Sequence, residues 1–294
     1  MRFYTLKKHI DDTPQVYVSG NGGELYSLCE LGFDFRTMNE LVCSNICIGE
    51  IGKRLLVQGA PKYKLGEMIV CAPIPRPLQD VICLGLNYAA HAVESAKFKK
   101  STFEAGSAGT VYFSKRVNEA VPDGGVIPAH RDLEEKLDYE AELAVILKKD
   151  ARNVKKEDVW EYVFGYTIIN DISARDMQTA HKQWYFGKSL DGFLPMGPCI
   201  VTEDEFARPP HLDVCSYVNG ELRQNSNTRL HIADIPDVIC ELSAGMTLLA
   251  GTVISMGTPA GVGMGMEPPT FMKPGDTVCC EIEKIGRLTN TIGE

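Results

Sequence analysis

Two neighbouring apolar runs carry the clearest strand patterns in the chain. In the segment 138–147 every second residue is apolar, which places one set of side chains on a single strand face: Tyr139, Ala141, Leu143, Val145 and Leu147. Glu140 and Glu142 then share the opposite face, where two like charges repel each other. A second apolar run, 166–171, ends in Asp171. The pattern therefore predicts three carboxylates carried by two strands.

Further strands and helices follow from the same periodicities. The patterns predict strands over 80–86 and 277–283, and helices over 89–97, 157–164 and 234–242. Asn87 can cap the helix 89–97. Strands dominate and do not alternate regularly with helices, so we expect an α+β, mostly β fold rather than a doubly wound one.

A proline-rich run divides the chain. Residues 72–77, Ala-Pro-Ile-Pro-Arg-Pro, cannot form a regular element. We therefore expect a small N-terminal domain over 1–72 and a catalytic domain over 73–294. Residues 99–110 are rich in Ser, Gly, Ala and Lys without a clear period, and the length of this loop makes it a lid candidate.

The composition is that of an ordinary globular protein and limits its partners. Of 294 residues, 44% are hydrophobic and 23% charged, which is enough for a real core. The formal net charge of -9 argues against nucleic acid or an anionic membrane as the main partner. No apolar run reaches membrane-spanning length, and the ten cysteines form neither a zinc pattern nor a disulfide framework. We therefore expect a cytoplasmic protein with reduced thiols.

The three carboxylates are the strongest candidates for chemistry. Glu140 and Glu142 alone fit a solvated strand face better than a site, because half-exposed strands commonly show this pattern. Asp171 changes the balance, since it ends a buried strand with Arg175 close behind it. With no cysteine or histidine beside them, the three acids form an oxygen-only set that suits Mg²⁺ or Mn²⁺.

Two further positions could serve catalysis. His91 and Glu94 are three residues apart and share one face of the predicted helix, where a carboxylate-held imidazole could activate water. Spacing alone favours an exposed pair of little consequence. Lys188 lies among aromatic residues, where a partly desolvated ammonium could bind an anion.

The segment 257–265 is glycine-rich but is not a nucleotide loop, because it lacks the Lys-Ser/Thr pair of a P-loop. It fits equally a flexible loop or a backbone cradle that binds a small carboxylate with the Thr258 hydroxyl. The chain contains no Gly-x-Ser-x-Gly elbow, which leaves a serine hydrolase with little support.

Seven pieces in this order resemble the fumarylacetoacetate hydrolase family, over about residues 78–294. They are Gly85-Leu86-Asn87-Tyr88 with His91 and Glu94, Tyr112-Phe113-Ser114-Lys115, Asp138-Tyr139-Glu140-Ala141-Glu142-Leu143, Asn170-Asp171-Ile172-Ser173-Ala174-Arg175-Asp176, Gly187-Lys188-Ser189-Leu190-Asp191, the run from Gly257 to Gly263, and Pro274-Gly275-Asp276.

The resemblance implies a mixed β-sandwich roll with a small N-terminal domain, usually a homodimer. It implies one Mg²⁺ or Mn²⁺ ion held by Glu140, Glu142 and Asp171, and a water-activating pair of His91 and Glu94. It further implies four residues that bind the carboxylate and oxo groups of a 2-oxo or 1,3-dicarbonyl acid: Arg175, Gln178, Lys188 and Thr258. Of these, Lys188 is also implied to be catalytic.

Three functions remain open from the sequence. The leading hypothesis is a metal-dependent hydrolase that cleaves a C–C bond in a small acylpyruvate-like acid, because the His91/Glu94 pair is complete. The alternative is a tautomerase, isomerase or decarboxylase of a 2-oxo dicarboxylate such as oxaloacetate. A third hypothesis is a non-catalytic metabolite-binding protein. One metal-polarised keto acid can undergo any of these reactions, so the fold alone does not decide between them.

Overall fold

Strands make up most of the regular structure of this protein, whose computed structural model describes residues 1–19, 23–56, 62–98 and 109–294. The strands in these ranges are β1 Arg2–Lys7, β2 Gln15–Ser19, β3 Leu25–Ser27, β4 Ile69–Cys71, β5 Val81–Gly85, β6 Val111–Lys115, β7 Val126–Ile127, β8 Leu137–Asp138, β9 Ala141–Leu147, β10 Val163–Asn170, β11 Ser173–Ala174, β12 Met196–Thr202, β13 Asp213–Val218, β14 Glu221–Asn227, β15 Val253–Ser255, β16 Thr277–Ile282 and β17 Gly286–Ile292. The α-helices are α1 Met38–Cys43, α2 Ile48–Leu55, α3 Ala89–Phe98, α4 Arg175–Ala180, α5 Tyr185–Lys188 and α6 Ile235–Gly245. Short 3₁₀ turns cover Leu65–Glu67, Lys156–Glu161, Glu203–Glu205, Thr228–Leu230 and Gly263–Gly265.

Two large sheets pack face to face. The larger has the order β3-β2-β1-β12-β10-β9-β15-β5-β6, with β4 also paired to β1, and the smaller has the order β14-β13-β16-β17-β7. Strands β15 and β5 are parallel, as are β17 and β7, whereas β9 and β10 are antiparallel. The expected mostly β, mixed sandwich fold is confirmed.

Both faces of β9 are buried, which decides the environment of the acids. Val145 and Leu147 enter a core shared with Val214 and Ile282 of the smaller sheet. Alternate residues on the other side, such as Ile146, join a second core. The predicted period of two is therefore confirmed, and a solvated face for Glu140 and Glu142 is wrong, since they are only 4% and 1% exposed.

The N-terminal segment contributes to the same large sheet. Strand β1 pairs with β12, with Arg2 opposite Val201. The second core combines Phe3 and Val18 with Met38 of α1 and Ile200 of β12. Helices α1 and α2 were not predicted. The domain division at residue 72 stays a prediction, and the segment 72–77 is irregular as expected.

Several predicted elements need correction. The strand 138–147 is interrupted between β8 and β9, and the helix 157–164 is a 3₁₀ turn that ends at Glu161. Asn87 uses its side chain differently from the predicted cap: its amide donates to the carbonyls of Ala233 and Met256 and accepts from the Ala233 N–H. Helix α6 forms where expected, with Asp234 as its N-cap. The lid candidate lies mostly outside the described residues, at 99–108.

Within the described ranges, no helix is long and apolar enough to cross a membrane. All ten cysteines are described, and each is a free thiol.

Candidate active site

Three acids converge at the junction of β9 and β10. Glu142 lies opposite Ile169 across the two strands, and the backbone N–H of Asp171 donates to the carbonyl of Glu140 at 2.9 Å. One carboxylate oxygen from each of Glu140, Glu142 and Asp171 lies within 4.8 Å of the other two. The three side chains meet because a backbone hydrogen bond holds Asp171 beside Glu140, just where β9 begins and β10 ends.

Two of these acids already have cationic partners. The Lys188 Nζ donates to both Glu140 Oε2 and Asp171 Oδ2 at 2.7 Å. Arg175 Nη2 lies 2.7 Å from Glu140 Oε1. Burial alone would raise the pKa of Glu140, but Lys188 and Arg175 together hold that pKa well below its usual range.

Lys115 is a partner that the sequence analysis did not identify as a site residue. Its Nζ donates to Asp171 Oδ1 at 2.5 Å and to the Ile172 carbonyl at 2.8 Å, and the residue is completely buried. Its signals in the sequence were its place at the end of a short β-like run and in one of the seven pieces of the family resemblance, neither of which assigned it a role. A lysine there gives no indication of whether it points to solvent or to a buried acid.

Glu142 differs from the other two acids. Its Oε2 accepts only neutral donors, the Ser255 hydroxyl at 2.6 Å and the Gly257 N–H at 3.0 Å, and no ion pair to it occurs in the described chain. Burial, together with Asp171 and Glu140, raises the pKa of Glu142 well above its ordinary value. A buried carboxylate without a cation is costly, so the cluster has room for one more positive charge.

The donor set therefore fits a hard divalent cation. All three ligands offer carboxylate oxygen, and the spacing allows a single ion to contact each of them. The residues predicted to hold Mg²⁺ or Mn²⁺ are brought together by the fold, and Glu142 is the one that forms no ion pair with any residue the structure describes.

His91 and Glu94 both lie on α3 at the same site, but they are not hydrogen-bonded. His91 Nδ1 is 3.6 Å from Glu94 Oε2, beyond hydrogen-bond length, and it is buried without a hydrogen-bond partner among the described residues. The expectation of an exposed pair is wrong, because His91 is only 5% exposed.

The glycine-rich segment binds carboxylates, and they belong to the protein. The Gly257 N–H donates to Glu142, and the Gly261 N–H donates to both oxygens of Glu94 at 3.0 and 3.1 Å. Two alternatives were predicted for this segment, a flexible loop and a backbone cradle. In the structure its backbone acts as a cradle for side chains of the site.

The same segment also binds Asp138, and Asp138 in turn positions Arg175. Asp138 is a second residue to which the sequence analysis assigned no role in the site. Asp138 accepts the N–H groups of Gly263 at 2.7 Å and Met264 at 3.0 Å, and it accepts Arg175 Nε at 2.9 Å. Arg175 Nη1 in turn donates to Gln178 Oε1 at 3.0 Å. The predicted substrate-binding pair Arg175 and Gln178 is thus held in one buried network.

Thr258 is anchored from the opposite sheet. Its hydroxyl donates to the Ala141 carbonyl at 3.1 Å and accepts the Gln224 side-chain amide at 2.7 Å. Gln224, on β14, is fully buried and also donates to the Pro259 carbonyl. Thr258 reaches the site, but its hydroxyl proton is already donated to the Ala141 carbonyl.

One small cavity joins these groups. Its walls include every predicted site residue except Glu94 and Asp171: His91, Glu140, Glu142, Arg175, Gln178, Lys188 and Thr258. The cavity volume is about 20 Å³, which is room for about one water molecule. The remaining walls are mostly apolar and include Phe113 and Trp184, with Ser95 and Thr179 as further polar residues. The arrangement can hold an anion beside a metal site with an imidazole within the same space.

Comparison with known proteins gives consistent matches. The C-terminal domain model of fumarylacetoacetate hydrolase matches residues 80–293. The oxaloacetate tautomerase YisK of Bacillus subtilis is 44% identical over 235 residues, which cover 80% of this chain and 76% of the relative.

Solved structures match over the whole chain. A fumarylacetoacetate hydrolase from Exiguobacterium antarcticum has a TM-score of 0.84 at 38% identity, covering 100% of this chain and 99% of the other. The maleylpyruvate hydrolase of Sphingobium sp. SYK-6, in complex with manganese(II) and pyruvate, has a TM-score of 0.77 at 29% identity and covers 100% of both chains.

Proposed function

The chain belongs to the fumarylacetoacetate hydrolase family of metal-dependent enzymes, and we propose that it interconverts the keto and enol forms of a small 2-oxo dicarboxylic acid such as oxaloacetate. Tautomerisation moves one proton between the carbon next to the oxo group and the oxo oxygen. It needs a charged site for the acid and one group that exchanges a proton.

The observation that carries this proposal is the position of the His91 imidazole. Its Nδ1 is buried, has no hydrogen-bond partner in the described chain, and lies in the same small cavity as Glu140 and Glu142. An unoccupied ring nitrogen beside an anion site is suited to take a proton from a bound acid and return it. Tautomerisation also requires no second reactant, whereas hydrolysis must place a water molecule beside the substrate.

The other residues would bind and orient the acid. Arg175 and Lys188 supply positive charge for carboxylate and oxo oxygens, and the Gln178 amide is oriented by Arg175. Glu140, Glu142 and Asp171 would hold the metal ion. When bound, that ion withdraws electrons from the oxo group and so acidifies the neighbouring C–H bond.

The direct test uses the enol form of oxaloacetate with the enzyme and Mg²⁺ or Mn²⁺. We expect the enzyme to accelerate the loss of enol absorbance without release of pyruvate, and the His91→Asn variant to lose at least about a hundredfold in rate. His9→Asn, at an exposed histidine, is the control. Pyruvate release at the same rate as enol loss would instead identify a decarboxylase, and binding without either signal would identify a metabolite-binding protein.

Hydrolytic C–C cleavage is the second candidate, favoured by the proximity of Glu94 to His91. A shift of a few tenths of an ångström would close the 3.6 Å gap and complete a water-activating pair. The variant Glu94→Gln keeps an oxygen that can accept from Gly261 but removes the negative charge. If the enzyme hydrolyses acylpyruvates, this variant should lose hydrolysis while its stability is unchanged; equal hydrolysis in variant and parent would remove the pair from the mechanism.

We further propose that the chain acts as a cytoplasmic homodimer. The free thiols are compatible with a reducing compartment, and large apolar side chains such as Leu230 and Ile232 are each 57% exposed. Light scattering during size-exclusion chromatography should give twice the chain mass of 32.4 kDa; a single chain mass at micromolar concentration contradicts the dimer.

A further inference from the structure

Part of the active-site cavity wall is aromatic. Phe113 and Trp184 contact each other edge to face with centroids 5.3 Å apart. Phe113 also lies 5.1 Å from the Nζ of Lys188, the amine that bridges two of the metal-site acids. The apolar wall therefore begins directly beside the charged end of the cavity, and Trp184 forms its outer part.

Gly85 is the residue that allows this ring position. A Cβ atom at Gly85, the last residue of β5, would lie 2.4 Å from Trp184 Cζ3 and 2.8 Å from Cη2. Such distances are well inside van der Waals contact, so any other side chain at Gly85 would push the ring away. The indole ring therefore lies against the backbone of Gly85, and both residues line the cavity.

The cavity must enlarge before any 2-oxo acid can bind. A volume of about 20 Å³ accommodates about one water molecule, and even a four-carbon acid is several times larger. The charged walls cannot give way easily, because Glu140, Arg175 and Lys188 are at most 4% exposed and hydrogen-bonded or ion-paired to one another. Trp184 is only partly buried and directly precedes a single helical turn, so its ring is less enclosed than these charged groups.

We propose that Trp184 determines substrate size: its ring closes the apolar end of the site, yields to a compact 2-oxo acid, and excludes acids with long acyl chains. This inference rests on the proposed function, because it takes the ligand to be a 2-oxo acid bound at the charged end. It favours small dicarboxylates over extended acylpyruvates as substrates.

The first test measures binding without turnover. Oxamate and N-alkyl oxamates of increasing chain length carry the same carboxylate and carbonyl pair as a 2-oxo acid, and their affinities can be measured by calorimetry with Mg²⁺ present. In the parent enzyme we expect affinity to fall at least tenfold from oxamate to N-hexyl oxamate. In Trp184→Ala we expect the longest ligand to bind as well as oxamate or better, and Trp184→Leu serves if the alanine variant does not fold. The same loss of affinity with length in parent and variant would overturn the proposal.

The second test follows the ring itself. The chain has two tryptophans, and Trp160 lies on the 3₁₀ turn Lys156–Glu161, away from the cavity walls. In Trp160→Phe all indole fluorescence comes from Trp184, and we expect oxalate with Mg²⁺ to shift its emission. In the matched Trp184→Phe variant, oxalate should leave the Trp160 emission unchanged. No shift in the Trp160→Phe protein at saturating oxalate contradicts a ring that moves.

These readouts separate the inference from the proposed function. If no 2-oxo acid is turned over but ligand length still controls affinity through Trp184, the size filter stands and the tautomerase proposal fails. If turnover occurs and Trp184→Ala leaves the length dependence unchanged, the function stands and the size filter fails.

Discussion

The Lys115 ammonium and the Asp171 carboxylate form an ion pair of 2.5 Å in which both side chains are buried, at 1% and 0% exposure. The Lys115 Nζ donates to Oδ1 of Asp171, and the Lys188 Nζ donates to Oδ2. Because each oxygen has its own partner, the carboxylate plane is fixed toward Glu140. A residue that never enters the cavity thereby orients a predicted metal ligand.

We expect Lys115→Met to weaken Mn²⁺ binding at least tenfold and to lower the free energy of unfolding by about 3 kcal/mol, because it removes one of the two cations that pair with the buried Asp171 carboxylate and leaves its Oδ1 without that partner. Calorimetry with Mn²⁺ and chemical denaturation measure the two effects. The control is Lys64→Met, at an exposed lysine 3.8 Å from Glu67, which should change stability by less than about 1 kcal/mol. Unchanged Mn²⁺ affinity in Lys115→Met would show that Asp171 does not depend on this lysine.

Glu142→Gln should remove metal binding without destabilising the metal-free protein. The amide keeps an acceptor for Ser255 and Gly257 but cannot supply the anionic oxygen that a divalent cation binds. Mn²⁺ at a hundredfold excess over its dissociation constant should stabilise the parent by about 2.7 kcal/mol and the variant not at all. Thermal unfolding with and without Mn²⁺ measures this, with the exposed Glu161→Gln as control. Full metal stabilisation in Glu142→Gln would exclude Glu142 as a ligand.

Gly257 and Gly275 form a matched pair of variants for testing how closely the glycine-rich segment packs against its neighbours. Both have φ of +88°, but a Cβ at Gly257 would lie 2.8 Å from the Asn87 Cβ, whereas nothing lies within 4 Å at Gly275. Alanine at either site costs about 1 kcal/mol for the left-handed backbone, and crowding at Gly257 should add about 2 kcal/mol. Denaturation of the two alanine variants measures the difference. Equal losses would mean that Asn87 moves aside without cost.

His231 should make the protein sensitive to acid. Burial lowers the pKa of His231 from its ordinary 6.5 to about 4, its Nε2 has no partner in the described part of the chain, and its ring packs edge-on to Tyr88. The unfolded chain takes up a proton near pH 6.5 and the folded one only near pH 4, so this contribution is fully present above pH 6.5 and lost as the pH falls through 4.

Because His231 is partly exposed, we expect its protonation to lower the free energy of unfolding by about 2 kcal/mol. The whole pKa shift would correspond to about 3 kcal/mol. Denaturation at a series of pH values should show a shallower acid limb for His231→Gln than for the parent. His9→Gln is the control for loss of an exposed imidazole. Identical acid limbs in His231→Gln and the parent would assign the sensitivity to other groups.

Local sequence patterns predicted the residues that approach the site from strands and from α3. The period of two over 139–147 placed Glu140 and Glu142 on one face, and the end of an apolar run singled out Asp171. The structure agrees, because one carboxylate oxygen from each of the three acids lies within 4.8 Å of the other two. The i, i+3 spacing placed His91 beside Glu94. These relationships depend only on the repeat of a strand or helix, so they can be derived from a short window of sequence.

Local patterns did not predict the partners that arrive from distant parts of the chain. Lys115 and Asp138 reach Asp171 and Arg175 across 56 and 37 positions of sequence. Whether a lysine at a strand end faces solvent or a buried acid depends on which strand lies beside it. The helices α1 and α2 were likewise missed, because their packing against the N-terminal strands, rather than a long periodic pattern, stabilises them.

The sequence by itself determined the mostly β class, the choice of the three acids as candidate metal ligands and the ordered motifs that identify the family, because these depend only on local periodicity and residue type. Only the tertiary structure decided that Glu142 has no ion-pair partner among the described residues, that the glycine-rich backbone binds carboxylates of its own chain, and that Trp184 lies on Gly85. Each of these depends on which distant atoms share a buried volume. In such a volume, the free energy of a charge or a ring is set by neighbours that no local window contains.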